Sequence, residues 1–518
     1  VVAYAFDLCA KIEHTKTIHQ NKNNMKLIDP MDFSIDPFLS NTQGNILKGH
    51  GRKNTTHIFL HFKEEDEKQV EAVRAWIKIY LAQKVTSFKS QLRERELYKR
   101  NEMPGSLFTS FFLTASGYRY LQYKDLEKKL TDEAFLQGMK TRLTKTNDPD
   151  PKNWEPGFQQ DIHAMILLAD HDLVRMERTA REIVELSEDF ATVLAIEFGQ
   201  VLRNDNGDGI EHFGYVDGIS QPLFLKEEVD EYMKFHNVDP NAPANQPTNN
   251  TFDPANPANP LSRPKFDPTN DPEIVMVKDP YSDAPDAWGS YFVFRKLEQN
   301  VKGFKKEEEA LGLGELGGAY LVGRFEDGSP VVLTDDEGMI GAGNYNNFNY
   351  GTTPQEMEAS THRCPYFAHI RKTNPRDKTI TPGKPVPPIM ARRGIPFGVR
   401  EKQEPIAPCK EVFPENGVGL LFMSYQQSLV HQFEFIQHTM ANDPDFPNPV
   451  PDAPNSGIDP IIGQVFGQNQ AIHSYRFPKE YDSHELTPPK NFSQFVTMKG
   501  GEYFFTPSIP FLKSLTPQ

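Results

Sequence analysis

The sequence predicts an α+β protein built from two ferredoxin-like halves, each an antiparallel sheet with peripheral helices. Three observations lead there. Before residue 236 the apolar patterning runs strand, helix, strand, strand, helix, strand, the ferredoxin-like order. After residue 281 a second succession of strands and helices begins. Between them the composition turns abruptly to Asn, Pro, Asp and Thr, as in Asn241-Ala242-Pro243-Ala244-Asn245-Gln246-Pro247, with nothing to build a core from. At 518 residues the chain exceeds the usual size of one domain. We therefore divide it into an N-terminal extension (1–40), an N-terminal ferredoxin-like domain (41–236), an insertion or linker (237–280) and a C-terminal ferredoxin-like domain (281–518).

The elements follow in order. A Gly-punctuated polar loop, Asn41 to Arg52, precedes the strand His57-Ile58-Phe59-Leu60-His61-Phe62. Val70, Val73, Trp76, Ile77, Tyr80 and Leu81 recur at three- and four-residue spacing, with Glu71, Arg74 and Lys78 on the other face, so a helix follows and Trp76 belongs to the core. Thr109–Ala115 and Asp161–Ala169 read as the second and third strands, Asp172–Asp189 as a second amphipathic helix, and Ala191–Val201 as the fourth strand. In the second half, Gly289–Leu297 reads as a strand, a charged helix begins near Lys305, Gly417–Tyr425 is an apolar strand, a helix runs through Gln437, and a last strand lies near Phe495–Met498.

Composition narrows the partners. A formal charge of −15 leaves no basic excess to neutralise phosphates, which excludes nucleic acid and anionic membrane as main partners. No apolar run approaches the roughly 20 residues needed to cross a bilayer. Residues 1–24 do not read as an intact secretory signal, so the reading is a soluble protein, cytoplasmic or secreted, with Met25 or Met31 as a possible original start. Sequons at Asn54 and Asn491 are compatible with secretion. Cys9, Cys364 and Cys409 are too few for a disulfide framework; reduced and buried is the default, with one Cys364–Cys409 bridge as the alternative. No Cys-x-x-Cys-His occurs, so any haem would be held non-covalently.

Two stretches carry chemistry. In His212-Phe213-Gly214-Tyr215-Val216-Asp217-Gly218-Ile219-Ser220-Gln221-Pro222, two glycines bracket one acid. An isolated Asp-Gly is usually just a turn. Here Gly214 and Gly218 would also let the backbone hold Asp217 rigidly over something bound beside it. The second stretch, Thr361 to Arg376, holds His369 after Tyr-Phe-Ala, with Arg371, Lys372 and Arg376 beyond it. A generic cluster of this kind is a solvated basic loop. A histidine beside an apolar surface and carboxylate-binding cations is, however, what a haem with two propionates requires. Downstream, Arg392-Arg393 precede the turn Gly394-Ile395-Pro396-Phe397-Gly398, and an arginine there stabilises negative charge without exchanging a proton.

Four segments in order, Gly214–Gly218, Ala368–Lys372, Arg392–Gly398 and Gly500–Ser508, resemble the dye-decolourising peroxidases over most of the chain, from about Asn41 to Leu515. The length and the Asn/Pro-rich insertion are similar to the larger fungal and bacterial members. The resemblance implies one non-covalent haem b per chain, held between sheet and helices of the C-terminal half, with His369 as the iron ligand. It implies Asp217, beside Gly218, and Arg392 on the peroxide-binding face, Arg392 being preferred to Arg393 because it lies four residues before Pro396. Leu420 and Phe422 would be apolar neighbours of that face, or ordinary strand core. Glu434 would accept the second ring N–H of His369, or else be a solvent-facing helix residue. Arg376 would pair with a propionate, with Arg371 as competitor. Some compact members carry an asparagine where this sequence has Gly394, which leaves the aspartate as proton carrier. The implied activity is reduction of hydrogen peroxide with one-electron oxidation of dyes, phenols or other aromatic reductants, at acidic pH. Large dyes would react at a surface tyrosine or tryptophan, with Trp154 and Trp288 as candidates, and a homodimer is compatible. A haem-binding or haem-handling protein with incidental peroxidase activity is the alternative; it needs His369 and the cations but not Asp217.

Overall fold

The computed structural model describes residues 27–236, 266, 268–338, 346–351, 353–376, 388–399, 413–447, 456–465 and 472–515. Most of the Asn/Pro-rich stretch, Met25, Cys9 and Cys409 lie outside them, and with Cys409 the Cys364–Cys409 bridge; Cys364 itself is buried.

In the first half, β1 (Asn54–Phe62), α1 (Glu67–Trp76), β2 (Phe108–Leu113), β3 (Ala164–Asp170), α2 (Leu173–Ser187) and β4 (Ala191–Gln200) form an antiparallel sheet in the order β2-β3-β1-β4. Both helices start where an aspartate side chain takes up free N–H groups: Asp66 accepts from Gln69 N, and Asp172 from Val174 N and Arg175 N. Trp76 is buried, as the helical spacing requires. Asn54 is only 6 % exposed inside β1, which leaves its sequon poorly placed for a glycan.

The second half repeats the plan. It comprises β5 (Trp288–Gln299), α3 (Val301–Ala310), α4 (Glu315–Val322), α5 (His369–Thr373), β6 (Ala391–Arg392), β7 (Ile395–Phe397), β8 (Gly419–Gln426), π-helical turns at Leu429–Phe433 and Ile436–Ala441, and β9 (Val496–Thr506). Strand order is β7-β8-β5-β9, with β6 also on β8. This is the first half's arrangement again, with β6 and β7 in the place of β2. Strand β9 is longer than the apolar pattern predicts because Gly500 and Gly501 continue it. A Cβ on Gly500 would lie 2.2 Å from the Phe158 ring, and one on Gly501 2.4 Å from the Phe294 carbonyl, so only glycine lets the strand run this close.

The halves are one sheet. Phe505 of β9 pairs with Leu113 of β2, and among the described residues the sheet counts ten strands with Val277–Lys278. At its other ends β4 meets β7, where a Cβ on Gly199 would be 2.5 Å from Ile395, so the sheet curls nearly into a barrel. The interior is aromatic: Phe59 packs on Phe294 at 4.7 Å and Phe112 on Phe292 at 4.4 Å. Lys296 of β5 bridges Glu197 of β4 and Glu155 at 2.8 Å each. No helix among the described residues is long and apolar enough to cross a membrane.

Candidate active site

A cleft opens between the second-half sheet and α5, and the space it encloses, mouth included, is about 1780 Å³. Its walls come from β5 (Arg295, Leu297, Gln299), β8 (Leu420, Phe422), α5 (His369) and the π-helical turn residue Phe433, while the loop from Glu211 to Ser220 lies across it. Seven of the residues expected from sequence line this one space: Asp217, Gly218, His369, Arg376, Arg392, Leu420 and Phe422.

The Asp217 loop is a tight turn, as its glycines predict. Gly214 and Gly218 take φ of +106° and +81°, a region that side chains disfavour. The Asp217 N–H donates to Gly209 O at 3.1 Å, and its carboxylate accepts from Gly218 N at 2.6 Å. Arg392 is held by its backbone N–H on Gln221 Oε1 at 3.1 Å, and its guanidinium reaches Ser220 O at 3.5 Å. The neighbouring Arg393 turns away and donates to Asn45 O at 2.7 Å and Ile46 O at 2.8 Å.

His369, which lines the same cleft, opens α5, and its Nδ1 donates to Asp459 Oδ2 at 2.8 Å. Asp459 is 1 % exposed, and its other oxygen accepts from Ile461 N at 2.8 Å and Ile462 N at 3.0 Å. A carboxylate has no proton to give, so Nδ1 carries the hydrogen, and in the neutral ring Nε2 keeps its lone pair.

Two expected residues do not belong here. Glu434 is not the partner of His369. It is buried elsewhere, where Arg142 donates to both its oxygens at 2.9 and 2.5 Å and Tyr503 donates to it at 3.2 Å, so the carboxylate is committed to that cluster. Arg371 does not reach the cleft. Its guanidinium is buried behind α5, donating to Met357 O at 2.7 Å and Ser360 Oγ at 3.0 Å, and stacks over Tyr366 at 4.3 Å. Sequence reasoning missed Asp459, for which Ile458-Asp459-Pro460 gives no periodic signal, and Arg324, which lines the cleft beside Arg376.

Arg376 sits with φ of +60°, donates to Asn346 O and Phe348 O at 2.7 Å each and to Ser220 Oγ at 3.0 Å, and stacks on Phe348 at 3.7 Å. Burial pushes the Arg376 guanidinium down to about 10 and that of Arg324 to about 9; both remain cations at neutral pH. Two desolvated arginines in an apolar cleft are suited to anionic groups of a bound molecule.

The donor set fits a haem: one imidazole with a free Nε2 backed by a carboxylate, arginines for propionates, and apolar walls from Leu420, Phe422 and Phe433. Among the described residues His61, Asp161 and His163 also converge as metal ligands would. There, however, His163 Nδ1 accepts the Phe62 N–H at 2.9 Å, so a neutral ring carries its proton on Nε2 and offers no lone pair to an ion. Of the two tryptophans outside helical stripes, Trp154 is 3 % exposed with its indole N–H on Pro149 O at 3.0 Å, which removes it from the surface. Trp288 is partly buried under Lys278 at 4.5 Å.

Residues 41–201 match the family model of the DyP dimeric alpha+beta barrel domain. The chain is 38% identical to the multifunctional dye peroxidase DyP2 of Amycolatopsis sp., over 92% of this chain and 96% of that protein. It is 30% identical to the dye-decolorizing peroxidase AauDyP1 of Auricularia auricula-judae, over 73% and 70%. Its fold is similar to the solved DyP-type peroxidase of Anabaena sp., with a TM-score of 0.79 and 35% identity over 96% of this chain and all of that one. With its barrel and these relatives, the chain belongs to the dye-decolourising peroxidases, a family of oxidoreductases.

Proposed function

We propose that this protein is a haem b peroxidase that reduces hydrogen peroxide and oxidises dyes, phenols or other aromatic reductants by one-electron steps. The observation that carries the reading is the cleft itself, which a carboxylate-backed imidazole lines together with Asp217 and Arg392. A protein that only held haem would have use for His369 and the arginines, but none for an acid on a hydrogen-bonded turn in the same space.

His369 Nε2 would ligate the iron, and Asp459 would hold the ring in the correct tautomer and raise its basicity. Arg376 and Arg324 would hold the propionates. When bound, haem supplies an iron that takes two oxidising equivalents from peroxide and returns them singly to reductants. Asp217 would accept the proton from the inner oxygen of peroxide and deliver it to the outer one, so that water leaves. Arg392 would stabilise negative charge as that bond breaks, and as a guanidinium it stays charged throughout. Leu420 and Phe422 would keep water off that face.

The test is the visible spectrum of the purified protein before and after peroxide. We expect a Soret band that changes at once on adding peroxide. In Asp217→Asn we expect the same band but a reaction with peroxide slowed by about 10²-fold or more, the usual range for one positioned proton carrier. No Soret band after reconstitution overturns the reading. An intact band indifferent to peroxide turns it into haem handling, and an unimpaired Asp217→Asn removes the aspartate from its role.

A further inference from the structure

Glu211 lies six positions before Asp217, and its carboxylate turns back into the loop it begins. One oxygen accepts the Tyr215 N–H at 3.0 Å and the other the Phe213 N–H at 2.8 Å. The backbone closes the same turn, with Glu211 N on Tyr215 O at 3.1 Å and Gly214 N on Glu211 O at 3.0 Å. From the sheet wall, the side-chain amide of Gln299 on β5 donates to the carboxylate as well. One acid therefore ties the loop to itself and to the strand that forms the floor of the cleft, and Glu211 and Gln299 both line that cleft.

An ionised side chain in this position is costly. Burial, chiefly, pushes the Glu211 carboxyl up from its ordinary range, and the negative charge of Asp217 adds to it; the donors from Gln299, Phe213 and Tyr215 oppose the shift. No cation pairs with Glu211 among its bonds to described residues. A glutamine would avoid the charge, but its NH₂ would have to face one of three donors. Only a carboxylate accepts all three at once. The far side of the loop is held separately: Val216 N donates to Glu326 O at 3.1 Å, and Tyr215 Oη to Glu308, which with Glu326 is paired to Lys305.

We propose that Glu211 is a positioning residue for the peroxide step, a carboxylate pin that fixes Asp217 against β5 and acts only through it. The proposal rests on the role given to Asp217 above. Misplacing a reacting group by about 1 Å costs up to about 10²-fold in rate, so losing the pin should be visible without any change in the reacting groups.

The experiment compares haem-loaded wild type with Glu211→Gln, Asp217→Asn and the double variant, measuring separately the second-order constants for peroxide and for a dye reductant. Amide hydrogen exchange on the haem-free protein is the second readout. We expect Glu211→Gln to lose about tenfold in the peroxide constant, to keep the reductant constant, and to exchange the Phe213 and Tyr215 amides faster. The double variant should be no slower than Asp217→Asn, because residues acting as one unit are not additive. The inference fails if Asp217→Asn is impaired while Glu211→Gln is not, if the two losses multiply, or if peroxide and reductant constants fall together. An unimpaired Asp217→Asn sinks the role of Asp217 instead. Should Glu211→Gln not load haem, Gln299→Leu removes one donor from the strand side; a selective loss in the peroxide constant supports the pin, and an unchanged one overturns it.

Discussion

Glu434 and Asp459 show how one carboxylate can be mistaken for another. Glu434 sits in an apolar helical stretch that a sequence reading can place beside the cleft, whereas Asp459 is 90 residues from His369 in a segment with no period to interpret. Periodicity identifies which face of an element is buried; it does not say which buried acid meets which base. The two roles separate by experiment. Asp459→Asn should fold and take up haem with an affinity lowered by about 10- to 100-fold, the usual cost of losing the acid behind a metal-bound histidine, as read by haem transfer to apomyoglobin. Glu434→Gln should leave haem affinity within a few-fold but lower the unfolding free energy by about 3 kcal/mol, because Arg142 loses a buried counter-charge. If Glu434→Gln releases haem while Asp459→Asn retains it, the assignment of the two acids is reversed.

Short elements carry much of the site, and they were the least legible. Strands β6 and β7 have two and three residues, too few for any alternation to register, yet they place Arg392 over the cleft by pairing it with Ser424. Helix α5 has only five residues and could not hold itself in water. It is pegged from outside. Besides Arg371 behind it, the Lys372 ammonium is 0 % exposed and donates to the carbonyls of Asp443 at 2.9 Å, Gly457 at 2.7 Å and Phe446. Burial brings this lysine down to about 8, so it is charged at neutral pH and binds the segment that leads to Asp459. Four basic residues that composition reads as a patch for anions thus divide: Arg376 faces the cleft, Arg371 and Lys372 staple the helix, and Arg363 pairs with Asp482 at 3.4 Å. Lys372→Met should take the ammonium from three part-buried carbonyls, of which that of Asp443 still accepts the Phe446 N–H, and lower the unfolding free energy by about 1–3 kcal/mol, with faster haem loss as His369 and Asp459 drift apart. Urea unfolding of the haem-free protein checks the first part, and an unchanged midpoint would show that α5 is held by packing alone.

At the scale of the whole molecule, two ferredoxin-like halves were legible because their long strands carry continuous apolar runs and their helices a clear 3.6-residue period. Their fusion into one curled sheet was not. The seam rests on Phe505 opposite Leu113, and no pattern inside a strand names its neighbour. The fusion has a physical consequence at His57. This residue lies in β1 between Leu167 and Glu197, fully buried, with Nδ1 on Glu197 O at 3.4 Å and its ring 5.5 Å from Phe294 of the other half. Burial drives its pKa down to about 4, with the Glu197 carbonyl opposing. An unfolded histidine titrates near its ordinary 6.5. As pH falls from 6.5 towards 4 the unfolded chain therefore takes up a proton that the folded barrel refuses. Stability is lost over that window at about 1.4 kcal/mol per pH unit, on the order of 3 kcal/mol in all. Other groups titrate there too, so the measurement is a difference. Between pH 7 and pH 4 the unfolding free energy of the haem-free wild type should fall by about 3 kcal/mol more than that of His57→Leu, which keeps the volume and has no proton to gain. Parallel curves for the two proteins would mean that water or a moving strand reaches His57, and that the barrel is not closed around it.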